Sequence, residues 1–348
     1  MGHISPQRTF DNAEFLDHIT EYQDNLLTSV VPDFKQYINP IQIRRMSSSL
    51  RIGLSAAKIC LQDAKLDMPD AIITASGFGS LGDTHRFVHE IIDNGEKQLT
   101  PTFFMQSTYN SLSGLIAMSL KCNNYNTTYA HRGFAFETGL QDAMMQLSDV
   151  PGRRILLGGY DECNADQFLI SKRSGVNRKT PIHNLSLFQT EEPGTLQGES
   201  AAFFALGTEI TDNTYCRING LKMVYAPKQE SDLISAINTL LAEHGLTGTD
   251  IDVVINGAGG DKQNDQLSNE VINRLFADTQ QVVYKHLVGD YCTSASFGVW
   301  LAAKMIRHQR IPDVVKANHP NAKSEIRNTL VINHFWGKSY GIILLSGI

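Results

Sequence analysis

Apolar residues recur along the chain in two alternating patterns. At Met46–Ala64 they return every three or four positions, with Ala56 and Ala57 on the packed side, which predicts a helix. Ala71–Ala75 is a short dense run, predicted as a buried strand, and it closes at Gly77-Phe78-Gly79. His85–Ile92, Gln106–Leu120 and Phe134–Leu147 have helical spacing, while Thr127–Ala130, Arg154–Leu157 and Ala201–Leu206 are strand-like. The second half follows the same order. Helices are expected at Asp232–Ala242, Asp265–Phe276 and Ser294–Arg307, and strands at Asp252–Ile255, Gln281–Tyr284, Leu330–Ile332 and Ile342–Leu345. Strands alternating with helices predict α/β layers around buried parallel sheets. The halves share this order without an alignable repeat. Pro181–Gly198, polar and rich in Thr, Glu and Pro, reads as a surface excursion rather than a linker.

Composition narrows the class. The chain has 348 residues, 42% hydrophobic and 19% charged, as in an ordinary globular protein. A net charge of −6 argues against bulk attraction to nucleic acid. No apolar run reaches the roughly 20 residues needed to cross a bilayer. The opening Met1-Gly2-His3-Ile4-Ser5-Pro6 has no charged segment followed by an apolar one, so no secretory signal is expected, although its abruptness leaves room for a missing short segment. Five scattered cysteines, Cys60, Cys122, Cys163, Cys216 and Cys292, form no CxxC pair. Free thiols in a cytoplasmic protein are expected, without disulfides or structural zinc. His85 and His89 have metal-compatible i, i+4 spacing but no evident third ligand, so a solvated helix face is expected and no metal is assigned. Gly257-Ala258-Gly259-Gly260 lacks both the Walker lysine–serine pair and GxGxxG spacing, so a tight turn explains it and no cofactor is assigned.

Several segments, in order, resemble the β-ketoacyl synthases. Arg44-Arg45-Met46-Ser47 resembles an early "RRMS" helix, and Phe103-Phe104 through Asn110 with Ser113-Gly114 an "FF…N…AG" segment. Leu157–Glu162 resembles "AGGxDE", Gly198–Ala202 resembles "GEGAA", and Asn333–Gly337 resembles the "NSFGFGG" turn. The resemblance spans nearly the whole chain. It implies the thiolase fold: two similar βαβαβαββ halves, 1–208 and 209–348, in one compact five-layer α-β-α-β-α sandwich. It also implies a dimer, with Gln106, Tyr109 and Asn110 at the interface, and Phe335 and Trp336 on the loop that gates the acyl pocket.

The chemistry of that family needs a cysteine nucleophile at a helix N-terminus, two histidines that assist decarboxylation, and a lysine. In this chain Thr128–Gly133 falls on the nucleophile turn and His131 on the cysteine. The stretch Asn256–Asp265, where the first histidine belongs, contains none; Asp290 takes the place of the second, and Lys285 matches the lysine. The departure is concerted, so no ordinary Claisen condensation is expected. A histidine at a helix N-terminus is disfavoured as a cation and should be neutral.

The pattern is similar to chain-length factors, which keep the fold, lose the cysteine and pair with an active ketosynthase. It is closest to the small synthase-like subunits of aryl polyene, flexirubin and dialkylresorcinol pathways. An acyl carrier protein is a further implied partner, for which the basic Lys172–Lys179 cluster is a candidate surface. Two alternatives stay open. One is a thiolase-fold acyltransferase or hydrolase using His131 with Asp290 as a base–orienter pair, or Cys292, which opens a helix. The other is a non-catalytic acyl-binding homodimer. Against these stand plain structural readings: a polar seam residue for His131, a buried ion pair for Asp290 and Lys285, core packing for Phe335 and Trp336, and a small buried residue for Cys292.

Overall fold

The computed structural model describes residues 1–11, 14–320 and 325–348. Ten strands build two five-stranded sheets. The first contains β1 (Gly2–Ile4), β2 (Ala71–Ser76), β3 (Tyr125–Ala130), β4 (Arg154–Asp161) and β5 (Ser200–Gly207) in the order β1-β5-β4-β2-β3. The second contains β6 (Arg217–Tyr225), β7 (Val253–Gly257), β8 (Gln280–Val283), β9 (Asn328–Phe335) and β10 (Ser339–Ser346) in the order β8-β7-β9-β10-β6. Counted within each half, both sheets read 1-5-4-2-3 from one edge. In each, the fifth strand runs antiparallel to the first and fourth, and the second, third and fourth are parallel.

Side-chain alternation explains why these strands read as continuous apolar runs. In β2, Ala71, Ile73 and Ala75 enter the core between the sheets, while Ile72 enters an outer one. In β9, Val331 faces inward, and Leu330 and Ile332 face outward. Both faces of each sheet are covered, so both must be apolar. On the outside of the first sheet lie α1 (Ser48–Asp63) and α4 (Ser111–Leu120), and outside the second lie α7 (Glu230–Glu243) and α8 (Lys262–Leu275). Between the sheets lie α5 (Ala135–Asp149) and α10 (Ala295–His308). The layers are therefore α-β-α-β-α, the five-layer sandwich expected. No helix among the described residues is long and apolar enough to cross a membrane.

Several local expectations need correction. The single helix expected at Gln106–Leu120 is two, α3 (Pro101–Ser107) and α4. Thr108 between them is extended, and Ser111 Oγ turns back to donate to Met105 O at 2.7 Å. Side-chain-to-backbone bonding of this kind competes with helix continuation. The strands β1 and β6 and the helix α6 (Ala165–Arg173) were not expected. The Pro181–Gly198 excursion is anchored more deeply than its polarity suggests. Leu187 and Leu196 are fully buried against Leu27, and Asn184 donates to His286 O. Fully buried Arg178 donates to Gly260 O at 2.7 Å, so it is removed from the basic cluster as a surface group.

Candidate functional site

Parallel strands of both sheets deliver their carboxyl ends to one end of the sandwich, where α/β sites form. β3 ends at Ala130, and the next residues turn into α5. His131 lies on that turn and is exposed in the protomer. Its Nδ1 accepts from the backbone N–H groups of Gly133 and Phe134, both at 3.0 Å, and its ring stacks on Phe134. A nitrogen that accepts twice carries no proton, so Nε2 holds the ring N–H. The only basic lone pair of the imidazole is thus occupied by the chain's own backbone. Neighbouring Arg132 lies over the Phe78 ring at 4.8 Å.

Asp290 makes no hydrogen bond to His131. Its Oδ1 pairs with Lys285 Nζ at 2.7 Å, and the same ammonium donates to His334 O at 3.0 Å. Lys285 is fully buried at the start of the short helix α9 (Lys285–Val288). The base–orienter pair of His131 and Asp290 is therefore not formed. Cys292 is buried with Sγ pressed against Gly77, where a Cβ would lie 2.2 Å away. Burial pushes its thiol well above the usual range, chiefly by desolvation, so the helix start does not yield a thiolate. Phe335 and Trp336 stack at 4.7 Å and, with Phe78, Asp161, Asp290 and Cys292, line a cleft of only about 50 Å³. That is space for a water or two, far below a usual small-molecule site of roughly 300 Å³ or more.

Three further residues matter to which the sequence reading gave no role, although Asp161 and His334 lie inside motifs it matched. Asp161, at the end of β4, accepts from Ser76 Oγ and Gly77 N with one oxygen, and from Thr293 N and Oγ1 with the other, at 2.7–3.1 Å. It staples the two halves together. Burial still pushes its carboxyl up to about 6, against these four bonds. His334 supplies a histidine to the histidine-free loop from β9: Nδ1 accepts from Gly337 N, and Nε2 donates to Asp265 Oδ1 at 3.0 Å. The Asp265 carboxylate also receives Gly259 N and Gly260 N, so this pair holds the loop closed. Glu137, in the first turn of α5, is fully buried with Oε2 unpartnered. Desolvation pushes it up to about 7, opposed by its own backbone N–H and by Lys285.

The residues expected at a dimer interface lie along one flank. Gln106 receives Ser47 N and donates to Arg45 O, and Tyr109 O accepts from the Tyr160 hydroxyl. Tyr109 and Asn110 are exposed. Around them Phe104 and Met118 are 57% and 78% exposed, beside the unpaired outer edge of β3. His85 pairs with Asp166 at 3.2 Å, and among the described residues no group of three or more His, Cys, Asp or Glu side chains is placed to hold a metal ion.

Comparison with known proteins sets this geometry in context. Residues 23–189 match the β-ketoacyl synthase N-terminal domain family. A sequence search of curated proteins finds no match. Among solved structures, a chain of the ishigamide ketosynthase/chain length factor superposes with a TM-score of 0.72 at 18% identity, over 92% of this chain and 87% of that one. A β-ketoacyl synthase from Burkholderia phymatum gives 0.70 at 14% identity, over 93% and 87%. A ketosynthase in complex with its chain length factor from Xenorhabdus doucetiae gives 0.66 at 16%, over 95% and 90%. The fold is that of thiolase-fold ketosynthases, and the chain is ketosynthase-like.

Proposed function

We propose that this chain is a condensation-deficient, chain-length-factor-like subunit. It pairs with an active ketosynthase and shapes the pocket in which a polyketide or fatty chain of the polyene pigment type grows. The observation that carries this reading is His131: the nucleophile turn holds an imidazole whose lone pair is spent on two backbone amides. The small size of the cleft and the burial of the Cys292 thiol that lines it add to it. The names of the similar structures, two of them ketosynthase and chain-length-factor assemblies, point the same way. An acyl carrier protein would serve the pair rather than this chain alone, in the cytoplasm.

Pairing would use the flank of β3, α3 and α4, whose unpaired edge and exposed Phe104, Met105 and Met118 suit a broad apolar contact. Co-expression with the ketosynthase encoded nearest to it tests the proposal. The two chains are expected to co-purify as a heterodimer, and a Phe104→Glu, Met118→Glu double variant should separate them. A homodimer that ignores the synthase, with the synthase making the same products alone, overturns it.

A further inference from the structure

The opposite pole of the sandwich carries a pocket unrelated to the cleft. There the amino ends of β4 and β6 and the carboxyl end of β5 meet the second half of α5 and the middle of α10. The pocket has a volume of about 330 Å³, inside the range of small-molecule sites. It touches α5 from Leu140 onward, whereas His131 lies on the turn before that helix begins. Its floor is apolar: Met144 and Leu147 of α5, Phe204 and Leu206 of β5, and Ile218 of β6. Its lining also includes three arginines, Arg153, Arg154 and Arg217. Arg153 donates to Gln146 Oε1. Arg154 and Arg217 are exposed, and their guanidinium groups make no bond to any described residue. Two acidic side chains belong to the lining, Asp63 and Glu209, and Asp63 is already engaged by the Tyr215 hydroxyl and the Met1 amino group.

A lining that combines apolar side chains with arginines whose guanidinium groups are unengaged fits an amphiphile whose head is anionic and planar. We propose that this pocket binds a medium-chain monocarboxylate, its alkyl or polyene tail on the apolar floor and its carboxylate on Arg154 and Arg217. The tail is held by burial alone and the head by charge-assisted hydrogen bonds, so each part can be removed separately.

Calorimetry on the full chain with decanoate, decanol and acetate tests this. Decanoate should bind one per protomer, decanol about tenfold more weakly, and acetate not measurably. An Arg154→Gln, Arg217→Gln double variant should bring decanoate down to the affinity of decanol and leave decanol unchanged. Met144→Trp, in α5, and Cys216→Trp, just before β6, fill the pocket from separate segments of its lining, and each, once its melting curve shows a folded protein, should abolish binding. No decanoate heat, binding that survives both plugs, or undiminished binding in the arginine double variant each overturns the proposal.

Discussion

The position of one proton decides what His131 can do. With Nδ1 accepting two amides, the ring behaves as a cap for the approach to α5, the work usually given to Ser, Asp or Asn. His131→Ala should therefore destabilise the chain by about 1 kcal/mol, and His131→Asn should recover most of that. Neither variant should alter acyl labelling of the protein by an acyl carrier protein, followed by mass spectrometry; thermal melts read the stability. Glu137 makes a second prediction. In the folded chain its carboxyl keeps its proton up to about 7, whereas the ordinary value is 4.5. Between these values the folded state binds more protons than the unfolded, so this group lowers stability as pH rises through that window. Glu137→Gln should be near neutral below pH 4.5 and stabilising by roughly 1–3 kcal/mol above pH 7, read from urea unfolding across that range. That His131 lies on a turn ahead of a helix, and that Lys285 and Asp290 can form a buried ion pair, was legible in sequence because spacing carries both. The tasks of His131 and Asp161 were not. Asp161 bonds to Gly77 and Thr293, partners 84 and 132 positions away, and the partners of His131 are backbone groups that no residue pattern encodes.

At the scale of elements, the contact between β10 and the turn that leads into α5 has almost no tolerance. A Cβ on Gly133 would stand 2.2 Å from Ser339 Oγ and 2.5 Å from Ser339 Cβ. Gly133→Ala should cost about 2 kcal/mol or more by overpacking, and Ser339→Gly in the same chain should return part of it, as urea midpoints would record. Most helices and central strands were legible because their burial is one-sided or complete, and the pattern reports it directly. The misses share a cause. β1 is three residues long, too short to carry a period, and β6 is an edge strand whose residues are mostly half-buried. In α6 Ser171 alone is buried, so no apolar stripe announces the helix. The break after α3 is made by hydroxyl bonds at Thr108 and Ser111, which periodicity does not see.

For the whole molecule, the layered architecture follows from the duplicated strand order. α5 follows the third strand of the first half and α10 the third strand of the second, so the two inner helices are counterparts packed into one shared core. That core was foreseen as two similar halves only through resemblance, since no repeat is alignable; the shared order lies in hydrogen-bond register and not in residue identity. It has a consequence for assembly of the fold. All five strands of each sheet come from one side of Thr208, with Gly2–Gly207 forming the first and Arg217–Ser346 the second. A cut after Thr208 would therefore sever no ladder, only the seam held by the inner helices and by staples such as Asp161 to Thr293. Fragments 1–208 and 209–348 expressed together should reassemble into a particle with the far-ultraviolet circular dichroism of the intact chain, and Asp161→Asn should weaken that reassembly. The polypeptide then behaves as a fused heterodimer, in which the peptide link sets the concentration of one half around the other.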